Sequence, residues 1–144
     1  MAYLSLVRPM RRPPVLLTRH SGKCYAILRI IVGLLFACHG AQKLFGVLGG
    51  TVAIHRPVGL AAGLIEFVAG ALVALGFYGR AAAFLASGEM AVAYFMVCAS
   101  RGFWPIANGG ETAVLYCFVF LYIFFHGSGL CSLDSLRHAS HESV

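Results

Sequence analysis

Four long apolar segments alternate with shorter connecting stretches along the chain. They cover residues 24–45, 58–77, 81–99 and 112–130. Each is close to the roughly 20 residues that a helix needs to cross about 30 Å of hydrocarbon. None of them alternates apolar and polar residues as a strand of a membrane barrel does. The pattern therefore predicts an all-α fold, a transmembrane up-down four-helix bundle, in which glycines interrupt the end of the fourth helix.

Composition and charge support a membrane location. Hydrophobic residues make up 60% of the chain and charged residues 11%, whereas a soluble domain carries about 25% charged residues. Eight of the eleven Lys and Arg residues lie on the side of the two chain ends, and three lie on the other side: Lys43, Arg56 and Arg101. The positive-inside rule then predicts a multi-pass protein with both termini in the cytoplasm. The net charge of +6 reflects this orientation, so the lipid bilayer is the expected partner and no nucleic acid is predicted.

The chain divides into three predicted regions. Residues 1–23 form a basic arm, in which prolines among arginines predict irregular structure on the cytoplasmic side. Residues 24–136 form the membrane domain, and residues 137–144 form a short cytoplasmic tail. The five cysteines include no CxxC pair, which counts against a disulfide-exchange enzyme.

The outer end of the first helix carries a dense group of polar residues. His39 and Lys43 are four residues apart and therefore share one helix face. At about 1.5 Å per helical residue, Glu66 lies at a depth similar to that of His39, and Glu111 begins the fourth helix near the same surface. A charge inside a bilayer needs a partner. We therefore predict that His39, Lys43, Glu66 and Glu111 form a cluster that binds a ligand or handles protons.

Three further residues support this outer cluster: Gln42 and Asn108 near the outer surface, and Trp104, whose ring could cap a cavity. A purely structural role, in which the cluster only fixes the register of the helices, remains open beside the functional one. Nearer the inner edge, the same counting brings Arg29 within reach of Glu89, and we predict a structural ion pair there. The spacing of the histidines predicts no metal site.

Five short motifs, in the same order along the chain, resemble the DoxX family. They are HGxxKLFG, ExxxGxLxxLG, RxAA, NGGExxxLY and GxGxxSLD, at residues 39–46, 66–76, 80–83, 108–116 and 127–134. The family consists of small four-helix proteins of the bacterial inner membrane, and the resemblance implies that location here. Family members are associated with thiosulfate:quinone oxidation, with membrane redox complexes, and with thiol or oxidative stress.

The resemblance favours a membrane subunit of a redox system that acts with quinone or in thiol/oxidative-stress defence. In this interpretation His39, Lys43 and Glu66 supply hydrogen bonds and protons to a quinone headgroup. Quinone is then the candidate cofactor, with none bound covalently, and a soluble or membrane redox protein is the candidate partner, with a homo-oligomer as a further possibility. Two other functions stay open. One is a non-catalytic scaffold that docks a soluble partner, and the other is a small-molecule or ion carrier that uses the buried glutamates.

Overall fold

The computed structural model describes residues 15–141, and the side chains of residues 20–137 within that range. This part of the chain is helical and contains no strand, which confirms the predicted all-α fold. Six helices follow one another: α1 (Val15–Phe45), α2 (Pro57–Leu75), α3 (Gly79–Ala93), α4 (Pro105–Asn108), α5 (Glu111–His126) and α6 (Leu133–His141). A π-helical turn, Tyr94–Cys98, and a 3₁₀ turn, Ala99–Arg101, extend α3 without a break.

Helix α1 begins earlier than the sequence pattern predicted. It starts at Val15, directly after two prolines in the sequence, and proline is favoured at the start of a helix and not within one. The irregular arm predicted for residues 1–23 is therefore corrected for residues 15–23, which are helical, while its first 14 residues lie outside the described part. Helix α6 also runs through residue 137, where the sequence placed the start of the tail.

Within the described part of the chain, three helical stretches are long and apolar enough to cross a membrane: His20–Phe45, Pro57–Leu75 and Gly79–Arg101. Helix α5 is apolar but has 16 residues, which gives it a length of about 24 Å. The protein is thus a multi-pass membrane protein with three long apolar helices and a shorter fourth one. This arrangement is compatible with the predicted bundle.

The bundle consists of two helix pairs. Helix α1 packs mainly on α2, α3 packs mainly on α5, and contacts between α2 and α3 join the pairs. Glycines let the α1 and α2 backbones touch: a Cβ atom on Gly40 would lie 2.3 Å from the Phe67 nitrogen, and one on Gly33 would lie 2.5 Å from the Ala74 nitrogen. Close approach through small residues is a common way for membrane helices to associate. The core between the pairs is filled by Phe36, Val73, Ala83, Phe120 and Ile123.

We name the two ends of the bundle after Arg29 and Lys43, the cations that lie near them. The Arg29 end contains the α2–α3 turn, residues 76–78, and the loop of residues 127–132. The Lys43 end is the opposite one and contains the loops of residues 46–56 and 102–110.

The fully buried Arg29 side chain joins three segments of the Arg29 end. Its guanidinium donates hydrogen bonds to the carbonyl oxygens of Val73, of Ala74 at 2.8 Å and of Cys131 at 2.8 Å. The first two carbonyls belong to the last turn of α2, where backbone acceptors lack partners within the helix. The predicted ion pair between Arg29 and Glu89 is therefore wrong, because backbone oxygens and not a carboxylate accept hydrogen bonds from the two terminal nitrogens of the arginine. The buried Nε atom has no partner among the described residues.

Asp134 accepts hydrogen bonds from free backbone N–H groups at the start of α3, as Arg29 donates to carbonyl oxygens at the end of α2. Its carboxylate accepts hydrogen bonds from the backbone N–H groups of Tyr78 at 3.0 Å and Gly79 at 3.1 Å, and from the Ser128 hydroxyl at 2.6 Å. Partial desolvation acts to raise the pKa of Asp134, but these hydrogen bonds and the charge of Arg137 outweigh it and lower the pKa below its usual value. The carboxylate thus caps α3 from another helix, as an N-cap residue would.

Candidate functional site

An ion pair between Lys43 and Glu66 connects α1 to α2 inside the bundle. The distance from Nζ to Oε1 is 2.6 Å, and the Glu66 side chain is 3% exposed whereas that of Lys43 is 36% exposed. Glycines set this distance: Gly40 lies against α2, and a Cβ atom on Gly63 would lie 3.2 Å from the Lys43 Cβ. Of the four residues predicted to cluster, these two are brought into direct contact.

Glu89 belongs to the same group of charges. It lies on α3, close enough to Glu66 and Lys43 to interact with both electrostatically. Glu66 and Glu89 come close because they lie at nearly equal distances from the α2–α3 turn. Glu89 follows Gly79, the first residue of α3, by ten residues, and Glu66 precedes Leu75, the last residue of α2, by nine. At about 1.5 Å per residue both carboxyls lie at nearly the same height. Counting residues from the inner edge alone matches Glu89 with Arg29 and misses its proximity to Glu66.

Tyr116 completes this group from helix α5. It interacts electrostatically with Glu66, and it precedes the end of α5 at His126 by ten residues, the same spacing that Glu89 has from its end of α3. We call Lys43, Glu66, Glu89 and Tyr116 the Lys43 centre. Sequence reasoning missed Glu89 and Tyr116 as members, although an equal count of residues from the Arg29 end would have found both.

Both glutamates of the Lys43 centre carry an unsatisfied oxygen. The Oε2 atoms of Glu66 and Glu89 are buried and have no hydrogen-bond partner among the described residues. A buried polar atom without a partner costs roughly 1–3 kcal/mol, so native proteins contain few of them. Each of these oxygens can therefore take up a proton, or accept a hydrogen bond from a water molecule or a ligand.

His39 and Glu111 do not join the ion pair. His39 is exposed and its ring meets the edge of the Tyr116 ring, with the centroids 6.1 Å apart. Glu111 is exposed in the first turn of α5, where the helix dipole favours a carboxylate without any cationic partner. The predicted four-residue cluster is thus corrected to the Lys43 centre, with His39 at its edge through Tyr116 and Glu111 nearer the surface.

Gln42 and Asn108 organise loops of the Lys43 end. The Gln42 amide donates a hydrogen bond to the Leu48 carbonyl at 3.1 Å. The buried Asn108 side chain donates to the Gly102 carbonyl at 2.7 Å and to the Tyr94 hydroxyl at 3.3 Å, and it accepts from the Gly110 N–H at 2.8 Å. Both amides bond to loop backbone, Gln42 from the end of α1 and Asn108 from α4, so they hold the loops in place.

Trp104 lines an apolar cleft and does not cover the Lys43 centre. The cleft has a volume of about 310 Å³ and lies between the π-helical turn and α5. Its walls are apolar and aromatic side chains, chiefly Met90, Tyr94, Phe95, Phe103, Trp104, Cys117 and Phe118. Single-turn π-helices often occur at functional sites. The cleft offers space for an apolar or aromatic group, while the ionisable chemistry lies elsewhere in the bundle.

Metal binding finds no support in the described residues. No group of three or more His, Cys, Asp or Glu side chains there is arranged to hold an ion. All five cysteines are free thiols. The chemistry that the Lys43 centre itself allows is hydrogen bonding and proton exchange.

Comparison with known proteins places the chain among its relatives. The DoxX family model matches residues 24–99, a range that includes Lys43, Glu66 and Glu89 and ends before Tyr116. The chain is also similar to an uncharacterized protein of Haemophilus influenzae (strain ATCC 51907 / DSM 11121 / KW20 / Rd). The two are 47% identical over 117 residues, which cover 76% of this chain and 87% of the relative. No solved structure matches the chain. The chain belongs to the DoxX family.

Proposed function

We propose that this protein is a membrane subunit of a redox system, and that its Lys43 centre exchanges protons with a quinone. The proposal rests on one observation: two buried carboxylate oxygens, one on Glu66 and one on Glu89, have no hydrogen-bond partner among the described residues. We place the protein in a bacterial inner membrane, with the Arg29 end facing the cytoplasm, because most of its basic residues lie on that side.

The charges of the Lys43 centre explain why it would hold a proton. With both carboxyls ionised, Glu66 and Glu89 carry one more negative charge than Lys43 can balance. An unbalanced charge in a low-dielectric interior is costly, and a buried group avoids the cost by taking up a proton. A proton on either carboxyl neutralises the centre and turns one unsatisfied oxygen into a donor. That proton belongs to a weak acid, so it can be transferred to a ligand and replaced from water.

The residues of the centre fit a quinone headgroup. A quinone, when bound, would accept two electrons from a partner oxidoreductase together with two protons. The Lys43 ammonium, the Tyr116 hydroxyl and a protonated carboxyl are donors that suit carbonyl oxygens. The protonated carboxyl, Glu66 or Glu89, would give up its proton as the first electron arrives and recover another from the aqueous side, so that the centre supplies the two protons in turn.

The test compares two substitutions inside the centre with a matched one outside it. Glu66→Gln and Glu89→Gln remove an exchangeable proton at nearly constant size, and Glu111→Gln makes the same change at an exposed carboxyl. We expect a short-chain ubiquinone to bind the protein in nanodiscs, with about tenfold weaker affinity for the two centre variants, as the loss of one charge-assisted hydrogen bond predicts. Infrared difference spectra should show a protonated carboxyl that changes on quinone reduction and disappears in one of these variants.

Equal affinity in all three variants and the wild type would refute the assignment of quinone to this centre. An unchanged carboxyl signal in both Glu66→Gln and Glu89→Gln would refute the proton-exchange role.

A second candidate function is a scaffold that docks a redox partner at the Lys43 end. The loop that begins at Gly102 exposes large apolar side chains, with Phe103, Trp104 and Ile106 each 70–79% exposed. Solvent-exposed apolar groups of this size are typical of interaction sites. Retention of a co-purifying oxidoreductase in Glu66→Gln, together with its loss in Trp104→Ala, would favour the scaffold over the quinone subunit.

A further inference from the structure

A second, larger cleft opens at the Arg29 end of the bundle. Its volume is about 730 Å³, and it lies between the α2–α3 turn, the end of α5 and the start of α6. The side chains that matter here are those of Tyr78, Arg80, Ala81, Asp134 and Arg137. It shares no lining residue with the Lys43 centre, so the proposed function leaves it unexplained.

Two guanidinium groups line this cleft. Arg80 is exposed, and it makes no hydrogen bond or ion pair with the residues that the structure describes. It lies over the backbone at Gly127, where a Cβ atom would be 3.1 Å from the Arg80 Nη2 atom. The Arg137 guanidinium lies 5.3 Å from the centroid of the Tyr78 ring and 5.6 Å from that of Phe77. Packing over Gly127 thus places Arg80, whereas Arg137 is placed by its interactions with Tyr78, which include a hydrogen bond.

The acidic residue of the cleft offsets only part of this charge. Both oxygens of the Asp134 carboxylate accept hydrogen bonds from Ser128, Tyr78 and Gly79, which leaves them committed to capping α3. One carboxylate against two guanidinium groups leaves the cleft with an excess positive charge. Guanidinium groups bind phosphate-type oxyanions through two parallel hydrogen bonds.

The surroundings of the cleft indicate the membrane–water interface. Helix α5 ends and α3 begins beside it. Leu130 is 56% exposed and Leu136 is 66% exposed on the neighbouring segments, loop 127–132 and α6. Exposed leucines next to a basic group are the arrangement by which interfacial segments contact acyl chains and anionic headgroups together.

We propose that this cleft binds a phosphate-type oxyanion through Arg80 and Arg137. Two sources share that chemistry, the phosphodiester headgroup of an anionic lipid and a soluble phosphate ester. A headgroup would leave its acyl chains against Leu130 and Leu136, and a soluble ester would use the guanidinium groups alone.

The experiment uses the full chain in a neutral detergent and two probes. Short-chain phosphatidylglycerol tests the lipid source, and glycerol 3-phosphate tests the soluble one. Binding is measured by native mass spectrometry and by the shift of the thermal unfolding midpoint. The variants are Arg80→Gln, with Arg101→Gln as the matched control, since Arg101 is also exposed but lies at the Lys43 end.

A second pair of variants keeps both arginines. Ala81 is exposed, lines the cleft and lies in the first turn of α3, where a glutamate is favoured by the helix dipole and should not disturb folding. Ala81→Glu places a negative charge in the cleft, and Ala81→Gln has nearly the same volume without the charge. We expect about tenfold weaker binding in Ala81→Glu and Arg80→Gln, and wild-type binding in Ala81→Gln and Arg101→Gln.

Each outcome is decisive. If Ala81→Glu and Arg80→Gln weaken the binding of phosphatidylglycerol alone, the cleft is a lipid headgroup site. If they weaken the binding of glycerol 3-phosphate, the ligand is a soluble phosphate ester. Binding of neither probe, or equal binding to Ala81→Glu and Ala81→Gln, would overturn the proposal. None of these results depends on the Lys43 centre, so the proposed function stands or fails separately.

Discussion

Replacing Gly40 by alanine adds one methyl group where the α1 and α2 backbones touch. The new Cβ atom would lie 2.3 Å from the Phe67 nitrogen and 2.7 Å from the Gly63 carbonyl oxygen. Both neighbours are backbone atoms, so neither can move away as the end of a flexible side chain can. The helices themselves must separate, by about 1 Å, before an ordinary contact distance is reached.

The cost of this separation follows from overpacking. Forcing an extra carbon into a packed site costs typically 1–3 kcal/mol. Alanine also stabilises a helix by roughly 0.5–1 kcal/mol relative to glycine, which offsets part of that cost. Gly88 supplies the control, because it is exposed in α3 and nothing lies within 4 Å of a Cβ atom placed there. The helix preference cancels between the two variants, so Gly40→Ala should be less stable than Gly88→Ala by about 1–3 kcal/mol.

Unfolding in mixed micelles of a mild detergent and dodecyl sulfate, followed by circular dichroism, measures both free energies of unfolding. Because Gly40 lies about one turn before Lys43, the same separation should also lengthen the ion pair between Lys43 and Glu66. Equal free energies of unfolding for Gly40→Ala and Gly88→Ala would refute the inference that the two backbones touch.

Three further substitutions test the ends of the bundle. Arg29→Lys should lower the free energy of unfolding by roughly 1–3 kcal/mol, because an ammonium cannot reach three carbonyl oxygens in fixed directions; unfolding equal to that of the wild type would contradict this role. Asp134→Asn should cost about 1 kcal/mol at pH 7. The folded state lowers the pKa of Asp134. The wild type should therefore keep its full stability advantage over Asp134→Asn above the unfolded-state pKa of about 3.9, and lose it as the pH falls through the folded-state pKa. A constant difference in stability from pH 7 to pH 3 would exclude the cap. Asn108→Ala should speed amide hydrogen exchange in residues 102–110 and leave α2 unchanged, and unaltered exchange in that loop would show that Asn108 does not hold it.

The lengths of the apolar segments and their lack of strand-like alternation were sufficient to predict the fold. Apolar segments of membrane-spanning length cannot hide their side chains in a single water-facing core, so helices and a bilayer follow almost directly. The contact of Lys43 with Glu66 could also be anticipated, because both lie toward the outer end of the bundle and a buried charge needs a counter-charge. These predictions rest on the regular rise of a helix, which can be counted directly from the sequence.

The partners of Arg29 could not be predicted in the same way. Charge pairing in the sequence favoured Glu89, but the acceptors are backbone carbonyls of α2 and of the loop before α6. Every residue carries such a carbonyl, so no residue type marks the ones that a helix end leaves unsatisfied. The start of α1 at Val15 and the π-helical turn at Tyr94 were missed for a related reason, since both depend on how the backbone hydrogen bonds close.

The hydrogen bonds of Arg29 also bear on how the protein is made. One of its acceptors, the Cys131 carbonyl, lies 102 residues further along the chain. When α1 leaves the ribosome, this arginine therefore enters the membrane before its partners on α2 exist and long before the last one has been synthesised. Until then the charge must stay near water or be shielded by the insertion machinery. The hydrogen bonds of Arg29 can thus be complete only after the loop of residues 127–132 has been synthesised and has packed against the bundle.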